Sequence, residues 1–108
     1  MPTFTPNDLY RTLKAVLEAS GASAEESNIV ADLIVDAHLG GHDSHGTESF
    51  VHYIEQVLRG EIVPGAPLDV LQEREAWLTL DGNWGFGHVV VSRATRTAIE
   101  KAKNTATC

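Results

Sequence analysis

The run His42-Asp43-Ser44-His45-Gly46 places two imidazoles, a carboxylate and a hydroxyl side by side, with further glycines at 40 and 41. Histidine is the side chain whose ordinary pKa lies nearest neutrality, so a group of this kind can take a proton and return it at physiological pH. Metal binding is a second possibility. His38, His42, Asp43 and His45 offer nitrogen and oxygen ligands of the type Zn²⁺ accepts, with His52 or His88 as the distant partners. The glycines between His38 and His42 work against a rigid ligand pair on one helix face, so no metal ligand is assigned, and His38 reads more simply as a cap on a helix end. A serine nucleophile fits poorly. Ser44 and His45 are neighbours that point in different directions, and Ser44 is not in a Gly-x-Ser-x-Gly elbow. Ser44 reads equally well as a helix N-cap or as a substrate contact.

A second glycine-rich segment, Asp81-Gly82-Asn83-Trp84-Gly85-Phe86-Gly87, lacks the third glycine of a dinucleotide-binding loop, and no acidic residue follows about twenty positions later. It reads as a turn from a strand into a helix, with Trp84 and Phe86 covering the core.

The elements that must position these residues follow from capping signals and apolar spacing. Thr5-Pro6-Asn7-Asp8 starts a first helix: a hydroxyl cap, proline at the first position, and acid in the first turn. Leu9, Leu13, Val16 and Leu17 share one face, and Gly21 is the stop. Ser23 with Glu26 forms a capping-box pattern for a second helix, whose stripe is Ile29, Val30, Leu33, Ile34 and Ala37, ending at Gly40-Gly41. A third helix begins between Ser44 and Thr47, turns Phe50, Val51, Ile54, Val57 and Leu58 inward, and stops at Gly60. Pro64-Gly65-Ala66-Pro67 breaks the helical period, and two short strands are predicted near 68–72 and 76–80. Helical spacing resumes from Val89 to Lys103. The predicted class is mixed α+β: a helical region over 1–62, then the start of a sheet-containing domain over 63–108. Two strands make a poor sheet alone, so the sheet is expected to be completed by another chain or by later sequence of a larger mixed α/β enzyme.

Composition narrows the function classes. Eight basic against fifteen acidic residues give a net charge of -7, and there is no basic patch, which argues against nucleic acid and anionic membranes. No apolar run approaches the roughly 18 residues of a membrane span, and the N-terminus lacks the pattern of a signal peptide. The single cysteine, Cys108, cannot form an internal disulfide, which agrees with a reducing compartment. A cytoplasmic protein is expected.

Taken together, Gly41-His42-Asp43-Ser44-His45-Gly46, Tyr53 with Gly60 downstream, Asp81 to Gly87, and Ala98-Ile99-Glu100-Lys101-Ala102 resemble the malate/L-lactate dehydrogenase family of NAD(P)-dependent oxidoreductases, which is distinct from the Rossmann-type lactate and malate dehydrogenases. The resemblance implies hydride transfer between a 2-hydroxy acid and NAD or NADP, with His45 as the acid/base and Ser44 and Tyr53 lining the substrate pocket. It also implies a homodimer and a much longer chain, so that these residues are the N-terminal part of the enzyme and are inactive alone. The pattern departs at Gly40 and Ser49, where such enzymes often carry arginines that could grip a substrate carboxylate. The competing reading is a non-catalytic helical interaction module whose histidine-rich loop binds a metal or a partner.

Overall fold

The computed structural model describes residues 5–42 and 45–105. The element order is α1 (Pro6–Ala19), α2 (Ala24–Leu39), α3 (Thr47–Leu58), β1 (Asp69–Glu73), β2 (Leu78–Asp81) and α4 (Gly87–Thr105), the mixed α+β class expected from the sequence. Helix starts are built as the sequence implies. The Thr5 hydroxyl accepts from the Asp8 amide at 3.1 Å, with Pro6 opening α1. At α2 the Ser23 hydroxyl accepts from Glu26 N while the Glu26 carboxylate accepts from Ser23 N, so the capping box is complete.

Helix ends share one device. Gly21, Gly41 and Gly60 all have positive φ, and the residue after each donates its amide back into the helix, Ala22 to Leu17, His42 to Ala37 and Glu61 to Gln56. These are Schellman closures, which satisfy orphan carbonyls and favour glycine at the left-handed position. Because the glycine also reverses the chain, each closure sets the direction of the segment that follows.

Helix α2 packs against both α1 and α4. The buried core joins Leu13 and Leu17 of α1, Val30, Ala31 and Ile34 of α2, and Phe86 and Val89 around the start of α4, with Phe50, Tyr53, Ile54 and Val57 of α3 packed partly against it. Not every apolar position faces inward as the periodicity suggests. Leu33 of α2 and Val51 and Leu58 of α3 are exposed, Leu58 by 78%, and no residue of α3 is fully buried. The chain presents 7022 Å² of surface, roughly a fifth more than the ~5,900 Å² of a free-standing globular protein of this mass. Among the described residues, Leu71, Val91 and Ile99 are exposed as well.

Strands β1 and β2 pair antiparallel, with the register slipping between Val70 and Gln72. Asn83 fastens the end of this hairpin: its amide donates to the Asp81 carboxylate, and its side-chain Nδ2 donates to the Pro67 carbonyl at 2.7 Å and to Asp69 Oδ2 at 2.9 Å. Asn83 and Trp84 both sit in the left-handed region, at φ 53° and 64°. Phe86 is 1% exposed and belongs to the core, but Trp84 is 81% exposed, so only one of the two aromatics covers the interior. The backbone explains the difference, since the left-handed turn swings Trp84 outward while its carbonyl accepts from Val63 N. A bulky side chain in this conformation costs roughly 1–2 kcal/mol, and here little burial offsets it. Trp84→Asn is therefore expected to stabilise the fold by about 1 kcal/mol, read as a higher urea midpoint; a lower midpoint would show that the indole makes a contribution to packing that its exposure does not suggest.

Candidate functional site

Two features form the candidate site: the turn between α2 and α3, and a cleft lined by residues of α2, α3 and α4. Within the turn, His42 N donates to Ala37 O at 2.7 Å to close α2, and His45 N donates to His42 O at 2.9 Å. His45 is exposed, and the next residue, Gly46, is buried. Gly46 is the N-cap of α3 and supplies no side-chain cap. Ser44, which the sequence offered as a cap or a substrate contact, and Asp43 lie outside the described residues.

His38 caps a helix end, as the sequence suggests. Its Nε2 accepts from the amide of Thr47, the first residue of α3, at 2.8 Å, and lies 3.2 Å from the Thr47 hydroxyl. That bond fixes Nε2 as the unprotonated nitrogen. Among the described residues, no three His, Cys, Asp or Glu side chains come together as a metal site.

The cleft has a volume of about 710 Å³ and is lined by Leu33, Tyr53, Ile62, Phe86, His88 and Val91, with Ser92 and Thr95 further along α4. Tyr53 lines this cleft, and His45 is outside its lining. The ring of His88 meets the Tyr53 phenol edge-on, with centroids 5.2 Å apart. Burial in this apolar wall holds the His88 pKa below its ordinary value of 6.5. Sequence reasoning placed His88 only as a remote candidate ligand. Its position after a glycine turn carried no spacing signal, and only the packing of α4 against α2 brings its ring to Tyr53 of α3.

A pH dependence follows with a definite sign. The unfolded chain binds a proton at His88 near pH 6.5, before the folded chain does, so stability falls as the pH drops below about 6.5 until the depressed folded pKa is reached. His88→Gln is expected to lose less stability than the parent between pH 7.5 and 5.5, measured by urea midpoints; equal losses in both proteins would contradict this.

Within residues 82–87, Gly82 and Gly85 are closely covered, whereas Gly87 faces open space. A Cβ built on Gly82 would come within 2.8 Å of both Val90 methyl carbons, and one on Gly85 would meet Gly82 O at 3.3 Å and Ala66 Cβ at 3.4 Å. The bareness of Gly82 and Gly85 serves the close approach of Val90 of α4 and of Ala66 to the turn.

Comparison with known proteins sets these features in a family. A sequence model described as malate/L-lactate dehydrogenase matches residues 4–108. The chain belongs to the malate/L-lactate dehydrogenase family. It is 39% identical over 101 residues to an L-sulfolactate dehydrogenase of Methanothermobacter thermautotrophicus, covering 94% of this chain and 30% of that protein. Among solved structures, malate dehydrogenase from Pyrococcus horikoshii OT3 superposes with a TM-score of 0.92 at 32% identity, over 96% of this chain and 30% of that one. Sulfolactate dehydrogenase from Methanocaldococcus jannaschii superposes with a TM-score of 0.88 at 37% identity, over 93% and 29%. The chain thus spans about 30% of the length of these relatives. No helix among the described residues is long and apolar enough to cross a membrane.

Proposed function

We propose that residues 1–108 form the N-terminal part of an NAD(P)-dependent dehydrogenase that moves hydride between a 2-hydroxy acid and a nicotinamide, with His45 as the acid/base. The observation that carries this reading is the family match across residues 4–108, and the malate and sulfolactate dehydrogenases that share this part of the fold support the substrate class. In the oxidative direction the substrate hydroxyl gives its proton to the imidazole of His45 while the carbinol carbon gives up hydride, leaving a 2-oxo acid; reduction returns the same proton. His45 suits this role because it is exposed and its backbone is tied to α2 through the bond from its amide to His42 O.

In this reading Ser44 and Tyr53 contact the substrate, and no described residue of this chain is assigned to the dinucleotide. Residues 1–62 form the helical region and 63–108 begin the sheet-containing domain. Later sequence covers the exposed apolar side chains, and the working enzyme is a cytoplasmic homodimer. The 108-residue chain alone is without turnover.

The test assays the complete gene product and the 108-residue chain against a panel of 2-hydroxy and 2-oxo acids with both nicotinamide cofactors. Turnover by the complete product and none by the short chain is expected. Enzyme-like rates from the short chain would overturn its assignment as an incomplete part, and inactivity of the complete product across the panel would overturn the dehydrogenase reading.

A further inference from the structure

We propose that His38 is a positioning residue for the turn that carries His45: it holds the start of α3 through Nε2 and so fixes the backbone on which the proton-carrying imidazole stands. This rests on the acid/base reading of His45 and adds to it a residue that does not touch the substrate.

The first amides of a helix have no partner within the helix and need one from outside. The N-cap of α3 is Gly46, which has no side chain to offer. An imidazole from the preceding helix fills the gap, accepting the Thr47 amide at 2.8 Å and lying 3.2 Å from the Thr47 hydroxyl. The same ring rests against Gly46 so closely that a Cβ there would stand 2.3 Å from Nε2 and 2.6 Å from both Cδ2 and Cε1. Glycine at 46 and histidine at 38 are thus one fitted pair. His45 directly precedes Gly46, and its own amide is bonded to His42 O, whose residue is tied to Ala37. Backbone bonds hold the α2 side of the turn, and His38 holds the α3 side by a side chain. Its Nε2 lone pair is committed to the Thr47 amide, which separates its role from that of the exposed His45.

The test uses the complete gene product with His38→Ala, His38→Gln and Gly46→Ala. Glutamine can place an acceptor oxygen near the position of Nε2; alanine cannot, and a methyl at 46 must push the ring aside. Two quantities are read: hydrogen exchange at the Thr47 amide, and kcat and KM for hydroxy acid and cofactor. His38→Ala and Gly46→Ala are expected to speed Thr47 exchange by about tenfold, the size of a lost helix cap. They are also expected to lower kcat by about tenfold to a hundredfold, as small misplacement of a reacting group does, with the cofactor KM within about twofold of the parent. His38→Gln is expected to recover most of both. Unchanged Thr47 exchange in His38→Ala would overturn the cap itself, and faster exchange with unaltered kcat would overturn its positioning role. A parent enzyme inert toward every substrate would instead remove the acid/base reading, a failure that the exchange data distinguish from loss of the cap.

Discussion

His45→Ala in the complete gene product is expected to lower kcat for hydroxy-acid oxidation by at least about a thousandfold, with dinucleotide affinity within about twofold of the parent. General acid–base catalysis contributes roughly 10²–10⁴-fold, and an alkoxide expelling hydride without a proton acceptor would have to form at a hydroxyl far from its own pKa. The affinity should survive because His45 is exposed on the α2–α3 turn and carries no burial that the fold depends on. Stopped-flow reduction of the nicotinamide measures the chemical step, and fluorescence titration measures the cofactor. A variant retaining parental kcat would take His45 out of the mechanism. Attention would then pass to His88, the imidazole that shares the cleft with Tyr53 and whose depressed pKa leaves it mostly neutral near pH 7. The pair of variants His45→Ala and His88→Gln therefore assigns the proton to one ring or the other.

How much of this could be read beforehand depends on how local each feature is. The stops at Gly21, Gly41 and Gly60 and the starts at Thr5 and Ser23 are written in adjacent residues, because a cap or a Schellman closure is completed within about six positions, and the structure builds them where the spacing put them. The faces of the helices are less legible. Periodicity states which side of α3 is apolar but not whether anything covers it, and Val51 and Leu58 remain in solvent. Trp84 was misplaced because residue type argues for burial while the left-handed backbone that turns it outward has no signature in the tryptophan itself. The least legible features are the contacts between elements. His38 reaches across the turn to a helix that does not contain it, and His88 finds Tyr53 only after α4 has packed. The candidate site was thus visible as a histidine cluster, whereas the partners that hold or accompany it were not.

The same distinction between local and distant bonds makes Glu26 a residue whose loss should harm the fold strongly. Its capping-box half, the bond to Ser23 N at 3.0 Å, is local. Its other half is not: both carboxylate oxygens accept from the Gly65 amide at 2.9 Å, thirty-nine residues away. The side chain is 1% exposed, whereas Ser23 and Gly65 are themselves exposed, so the freed amides can turn to water and the loss is that of the bonds to the carboxylate. A hydrogen bond to a charged group contributes roughly 1.5–3 kcal/mol. Glu26→Ala is therefore expected to destabilise the fold by about 3 kcal/mol, lowering the melting temperature by more than about 10 °C. Glu26→Gln keeps one acceptor oxygen and should lose about half as much. The Gly65 amide should exchange with solvent faster in both variants, because it sits in the Pro64–Pro67 turn that leads from α3 into β1 and has this carboxylate as its acceptor. Loss of stability in Glu26→Ala without faster exchange at Gly65 would place the whole effect in the capping box, and would mean that the turn into the hairpin is held by something other than Glu26.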